Sequence, residues 1–110
     1  MLTLETIENV TPRLVEAAHA PSRVILFGSY ARGDADEDSD LDILVVEKEI
    51  LDPTEEYRGL RAAIGPLGVG LDLLVLDEAE FAKYRDWCST PVYWAAREGK
   101  VLYESATRPG

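Results

Sequence analysis

The 110-residue sequence predicts an α/β (α+β) fold in which helices pack against a small sheet, and three observations carry that expectation. Short apolar runs rich in β-branched residues alternate with stretches of helical periodicity. Capping residues and helix-starting prolines mark the changes between them. The connections are short, as expected of one compact domain over residues 1–110.

Taken in order, residues 3–19 read as a helix, with Leu4, Ile7, Leu14, Val15 and Ala18 at helical spacing and Thr3 or Thr6 as the cap. Pro12 interrupts that pattern, so either a kink or two shorter helices are expected. Residues 23–27, RVILF, read as a strand buried on both faces. Gly28-Ser29 turns the chain into a short helix beginning SYAR, and residues 33–39, GDADEDS, have loop chemistry. Residues 40–47, DLDILVVE, read as a second strand with Asp40 and Asp42 on one face and Leu41, Ile43 and Val45 on the other. Asp52-Pro53 opens a helix to about residue 64, stopped near Gly65-Pro66. Residues 69–76, VGLDLLVL, read as a third strand with a lone acid, Asp72. Asp77 caps a helix near 78–86, and Thr90 with Pro91 starts another that Gly99 stops. Residues 100–104 suit a last extended segment, and the tail SATRPG is expected to fray.

Composition excludes several classes. At 46% hydrophobic and 29% charged, the chain is too apolar for disorder. A chain this long buries one real core, roughly 65% of its unfolded surface. Its apolar runs fall short of the ~18 residues that cross a membrane, and MLTLETIENVTPRL lacks the regions of a signal peptide. A lone cysteine, Cys88, excludes an intramolecular disulfide framework and fits the reducing cytoplasm.

The net charge of −10 is concentrated. Residues 34–56 hold eleven acids and one base, Lys48, while the other 87 residues balance at ten and ten. Tight binding of bare nucleic acid is therefore not expected, because phosphate neutralisation needs a basic face. The bland reading of such a run is a solvated loop. The pattern inside it argues for more.

Three carboxylates, Asp40, Asp42 and Asp72, sit on apolar strands, where a charge is costly unless paired or metal-bound. Acids at i and i+2 project side by side from one strand, and an acid from a neighbouring strand completes a cluster. Their mutual repulsion raises their pKa values. A divalent cation relieves it, and all-oxygen donors favour Mg²⁺ or Mn²⁺. Pairs of such ions, ~3.5–4 Å apart, serve in-line phosphoryl or nucleotidyl displacement. Gly28-Ser29, where a strand enters a helix, offers N–H groups and a hydroxyl to an anion. Either motif alone is weak, but their joint order along the chain is demanding.

The stretch GSYARGDADEDSDLDILV resembles the nucleotidyltransferase signature of the DNA polymerase β superfamily in its minimal nucleotidyltransferase (MNT) form. The matching residues are Gly28-Ser29, Arg32-Gly33, Ser39-Asp40 and Asp42; Asp72 matches the third carboxylate, and REGKVLYE is similar to the close of many minimal members. The resemblance covers about residues 22–104. It implies a polymerase β-like fold, a small mixed β-sheet flanked by helices. It also implies that Asp40 and Asp42 bind two Mg²⁺ ions, and that Asp72 completes one site and activates the attacking hydroxyl. Gly28 and Ser29 would hold the phosphates of ATP, and pyrophosphate would leave. Arg32 either touches phosphate or pairs with Asp34 or Asp38 to shape the loop. Ser39 either orients that loop or is a plain turn residue.

Minimal members resemble the MNT partner of HEPN–MNT toxin–antitoxin pairs. That likeness implies an antitoxin that binds a HEPN-domain ribonuclease toxin and transfers AMP from ATP to one of its tyrosines. The alternatives are a small-molecule nucleotidyltransferase of the aminoglycoside type, as a homodimer, or a binding antitoxin without catalysis. The complete set of three Asp residues favours catalysis. The acid window then divides: Asp40 and Asp42 do metal chemistry, while Glu47 to Glu56 lie past the strand as solvated charge. The remaining acids either raise local Mg²⁺ concentration or meet a basic partner. His19 is expected to complement a helix dipole, Cys88 to be inert, and Trp87, Tyr93, Trp94 and Tyr103 to pack. Tyr30 and Tyr57 are candidates for stacking on a base.

Overall fold

The computed structural model describes residues 1–105. Its elements are α1 (Leu4–Ala17), β1 (Pro21–Phe27), α2 (Ser29–Arg32), β2 (Leu41–Glu47), α3 (Pro53–Ile64), β3 (Leu71–Asp77), α4 (Glu78–Tyr84), α5 (Pro91–Glu98) and β4 (Lys100–Glu104). Each strand and helix expected from the sequence is present. Ser105 still donates its N–H to the Ser22 carbonyl, at 2.9 Å. The rest of the tail expected to fray, residues 106–110, lies outside the described residues.

The caps are those the sequence implies. Thr3, Asp52, Asp77 and Thr90 each accept a hydrogen bond from the backbone N–H three residues on, satisfying a donor that the helix start leaves free. At α4 the cap is reciprocal, because Glu80 accepts in turn from the Asp77 N–H. α1 runs unbroken through Pro12, which lies on the exposed side of the helix. The buried face of α1 is Ile7, Val10 and Leu14. Leu4 is 61% exposed, so the apolar stripe begins one turn later than the periodicity suggests.

The strands form one mixed sheet in the order β3-β2-β1-β4. β1 pairs antiparallel with β2 and β4, and β2 pairs parallel with β3. Helices cover both faces. Val24, Leu26, Leu41, Ile43 and Val45 pack with Ile7, Val10 and Leu14 of α1 and with Leu60 and Ile64 of α3. Ile25, Phe27, Leu44 and Val46 face the other way, against Phe81 of α4 and Val92 and Ala95 of α5. The period-2 alternation of strand side chains thus feeds two cores, which is why β1 and β2 read as nearly continuous apolar runs.

One expectation is overturned at the far end of β2. Glu47 and Glu56 are not solvated: Glu47 is fully buried and Glu56 is 7% exposed. The α1–β1 connection and the first turn of α3 close over the end of β2 and bring these acids together. Glu47 Oε1 accepts from the Ala20 N–H at 3.1 Å. Glu56 accepts from the His19 N–H at 3.0 Å and lies 2.5 Å from His19 Nδ1. Glu47 Oε2 meets no protein donor, so a proton on Glu47 directed at Glu56 satisfies both groups. His19 therefore serves this pair and not a helix dipole.

Burial, and then the hydrogen bond to Glu56, push the Glu47 carboxyl from 4.5 up to about 7. Against the desolvation that would raise it, hydrogen bonds from Glu47 and His19 hold Glu56 below its usual value. The folded protein keeps a proton on Glu47 that the unfolded chain has released, so this group's contribution to stability is full below 4.5 and is lost as pH rises through about 7. Glu47→Gln retains a donor toward Glu56 without the charge. It is expected to stabilise the fold by roughly 2 kcal/mol at about pH 8, with the gain vanishing near pH 4. Urea denaturation at the two pH values measures it.

Candidate active site

At the opposite end of β2 the parallel register sets Asp42 directly beside Asp72 on β3, and Phe27 of β1 lies on its other side. All three side chains point to the face covered by α4 and α5. Asp42 is half-buried, whereas Asp40 and Asp72 are exposed. The acids sit at strand ends, and β3 is an edge strand, so Asp42 is the one held out of water.

Two glycines make room for these side chains. Gly28, at φ +73°, ends β1 so close to Asp42 that a Cβ there would collide with the Asp42 carboxylate. Gly70, just before β3, stands in the same relation to Asp40. Sequence reasoning placed Gly28 in the site but missed Gly70, whose signal was its position immediately before the strand that carries Asp72.

The electrostatics follow from this crowding. The Asp42 carboxyl is pushed from 3.8 up to about 6. Burial contributes most, followed by its hydrogen bond to Asp72, repulsion from Asp72 and repulsion from Asp40. Arg32 pulls in the opposite direction. Asp42 therefore takes up a proton more readily than an ordinary aspartate. Among the described residues, no three His, Cys, Asp or Glu side chains form a set that holds a metal ion by itself. The donor chemistry nevertheless fits Mg²⁺, which typically takes one or two carboxylates and fills its shell with water and substrate phosphate oxygens.

The Gly28-Ser29 turn lies next to the pair. Gly28 caps α2, and its carbonyl accepts from Ala31 and Arg32. The N–H groups of Ser29 and Tyr30, at the start of α2, have no acceptor within so short a helix. The Arg32 guanidinium reaches Asp34, with Nε 3.3 Å from Oδ2, so it shapes the loop while still acting on Asp42. Ser39 orients the loop: its hydroxyl accepts from the Asp36 N–H at 2.9 Å and donates to Asp36 Oδ1 at 3.2 Å. Tyr30 is structural. Its hydroxyl accepts from the Leu2 N–H at 3.0 Å, and its ring packs on the α1–α3 core. Trp87 and Trp94 do not pack inward, being 50% and 49% exposed.

The fold agrees with comparisons to known proteins. A family model described as a nucleotidyltransferase domain matches residues 6–90. Two Methanocaldococcus jannaschii proteins, both provisionally named protein adenylyltransferases, are similar to this chain. MJ0604 is 37% identical over 81 residues, 74% of this chain and 77% of that protein. MJ0141 is 54% identical over 41 residues, 37% of this chain and 41% of that protein, so this match spans less than half of that relative. A structure of tri-AMPylated Shewanella oneidensis HEPN toxin in complex with MNT antitoxin shares the fold, with a TM-score of 0.61 and 20% identity over 94% of this chain and 74% of that one.

The Gly28 contact yields a quantitative expectation. Gly28→Ala meets both a left-handed backbone and the Asp42 carboxylate, whereas Gly33→Ala, at φ +86°, meets open space. Gly33→Ala should cost about 1–2 kcal/mol from backbone strain alone. Gly28→Ala should cost about 1–3 kcal/mol more and displace Asp42. Paired denaturation curves measure the difference; equal costs would show that Asp42 does not rest on Gly28.

Proposed function

The chain belongs to the nucleotidyltransferase domain family, and we propose that it is a Mg²⁺-dependent protein adenylyltransferase, an antitoxin that transfers AMP from ATP to a tyrosine of a HEPN-type ribonuclease toxin. The observation that carries this reading is the Asp42–Asp72 pair, set in register on parallel strands beside the Gly28-Ser29 turn. The names of the M. jannaschii relatives and the AMPylated toxin complex of S. oneidensis support the group transferred and the kind of acceptor.

The residues divide the work by position. Ser29 and the N–H groups of the first turn of α2 bind the β- and γ-phosphates, and Gly28 keeps the backbone close enough for that contact. Asp40, Asp42 and Asp72 would hold Mg²⁺, which neutralises phosphate charge when bound. Asp72, exposed at the edge strand, faces the acceptor and takes the proton from its hydroxyl. The phenolic oxygen then bonds to the α-phosphorus, the bond from that phosphorus to the bridging oxygen breaks, and pyrophosphate leaves. Most of the acceleration comes from alignment and charge complementarity.

The test is transfer of α-labelled AMP to a co-expressed partner in the presence of Mg²⁺. Asp40→Ala and Asp72→Asn, both exposed and so neutral to folding, should each lower the rate at least about 100-fold. Label on tyrosine of the partner supports the reading. Label on an aminoglycoside with none on protein would replace it, and partner neutralisation unaffected by Asp40→Ala would make the protein a binding antitoxin instead.

A further inference from the structure

A second cavity, of about 300 Å³, opens between α4 and the sheet, toward the end of β2 that lies away from Asp42. Glu78, Phe81, Ala82 and Arg85 form one side of it. They stand at i, i+3, i+4 and i+7, which is one face of α4 and its C-cap. The other side is the sheet, where Val46 points to the α4–α5 core and so away from the Glu47–Glu56 pair.

Two of the charged residues around this cavity answer each other. Arg23 Nε lies 3.3 Å from Glu104 Oε2. Arg85 and Glu78 are left. The Arg85 guanidinium lies 5.2 Å from the centre of the Phe81 ring, one turn back along α4, and among the described residues it pairs with no carboxylate. The Arg23 guanidinium is held near the same ring, at 5.5 Å. Glu78 Oε2 accepts from the buried Ser22 hydroxyl at 2.6 Å, which fixes the carboxylate and leaves Oε1 open. The two poles are thus set in place beforehand, which lowers the ordering cost of binding.

The pattern decides the class of ligand. A plain anion would meet Glu78 and Glu104 along with the arginines, and a plain cation would meet Arg23 and Arg85 along with the glutamates. A zwitterion matches both poles. Arg85 offers the planar fork that grips a carboxylate, and Glu78 accepts from an ammonium. Between them Val46, Phe81 and Ala82 supply an apolar wall.

We propose that this cavity binds a small zwitterion with an apolar body, of the class of an aliphatic α-amino acid, with Arg85 on its carboxylate and Glu78 on its ammonium. The site uses none of Gly28, Ser29, Asp40, Asp42 or Asp72, so it stands or falls apart from adenylyl transfer.

The probes are L-leucine, isocaproate (leucine without its ammonium), isoamylamine (leucine without its carboxylate) and inorganic phosphate. NMR of the Val46 and Ala82 methyls reads binding at neutral pH. Leucine should shift these methyls saturably, and each of the other probes should bind about ten-fold more weakly or worse. Arg85→Gln and Glu78→Gln, both at exposed positions, should each weaken leucine about ten-fold. Arg85→Gln should not weaken isoamylamine, and Glu78→Gln should not weaken isocaproate, because each variant keeps the pole that its probe uses. Failure of leucine to shift the methyls would overturn the proposal. Isocaproate or phosphate binding as tightly as leucine would make this a plain anion site, and isoamylamine doing so a plain cation site; either result overturns it. Variants that weaken every probe alike would show a lost shape, not a lost pole, and would overturn it too.

Discussion

Two carboxyl groups are forced side by side where β2 and β3 run in parallel register, and one of them, Asp42, is partly withdrawn from water. Neither can relax away. The backbone pairing fixes their separation, Gly28 closes one side of Asp42, and Asp40 adds charge from the same strand face. Burial and this crowding push the Asp42 carboxyl up to about 6, so below that pH a proton on it relieves the conflict. A bound cation meets it more completely, because it attracts every carboxylate present where a proton bridges two oxygens.

The same strand carries a second carboxyl pair at its other end, and the contrast is instructive. Glu47 and Glu56 are closed in by the His19–Ala20 segment, which donates two backbone N–H groups and a ring nitrogen to them. That pair is satisfied internally by a proton that Glu47 keeps until the pH rises through about 7. The Asp42–Asp72 pair borders a cavity and has only Arg32 opposing it electrostatically. Similar groups thus take opposite roles: one pair is sealed by donors, and the other is left open to a ligand. The cavity of about 420 Å³ beside His19 and Glu56 has acids in its wall but lies by the sealed pair, away from the phosphate turn.

Much of this was legible in the sequence because it depends on local rules. The Gly28-Ser29 turn, the Asp40-x-Asp42 spacing and the lone Asp72 place themselves once the strands are recognised by alternation and their ends by caps. What was not legible depends on contacts between distant elements. Glu47 and Glu56 look like surface acids until α3 folds back over β2. Gly70 and Tyr57 enter the site only because β3 starts beside Asp40 and is an edge that α3 flanks. Besides phosphate, the sequence offered Arg32 two carboxylates, Asp34 and Asp38, and loop geometry pairs it with Asp34.

The central claim is that burial and the crowding of Asp42 by Asp72 raise its affinity for a proton, and that a bound cation would reverse this. Carboxyl ¹³C NMR of Asp42, titrated with and without Mg²⁺ and a non-hydrolysable ATP analogue, tests it most directly. The account predicts a midpoint near 6 in metal-free protein, moving to lower pH when Mg²⁺ and nucleotide bind. A midpoint at the ordinary 3.8 that Mg²⁺ leaves unchanged would contradict it.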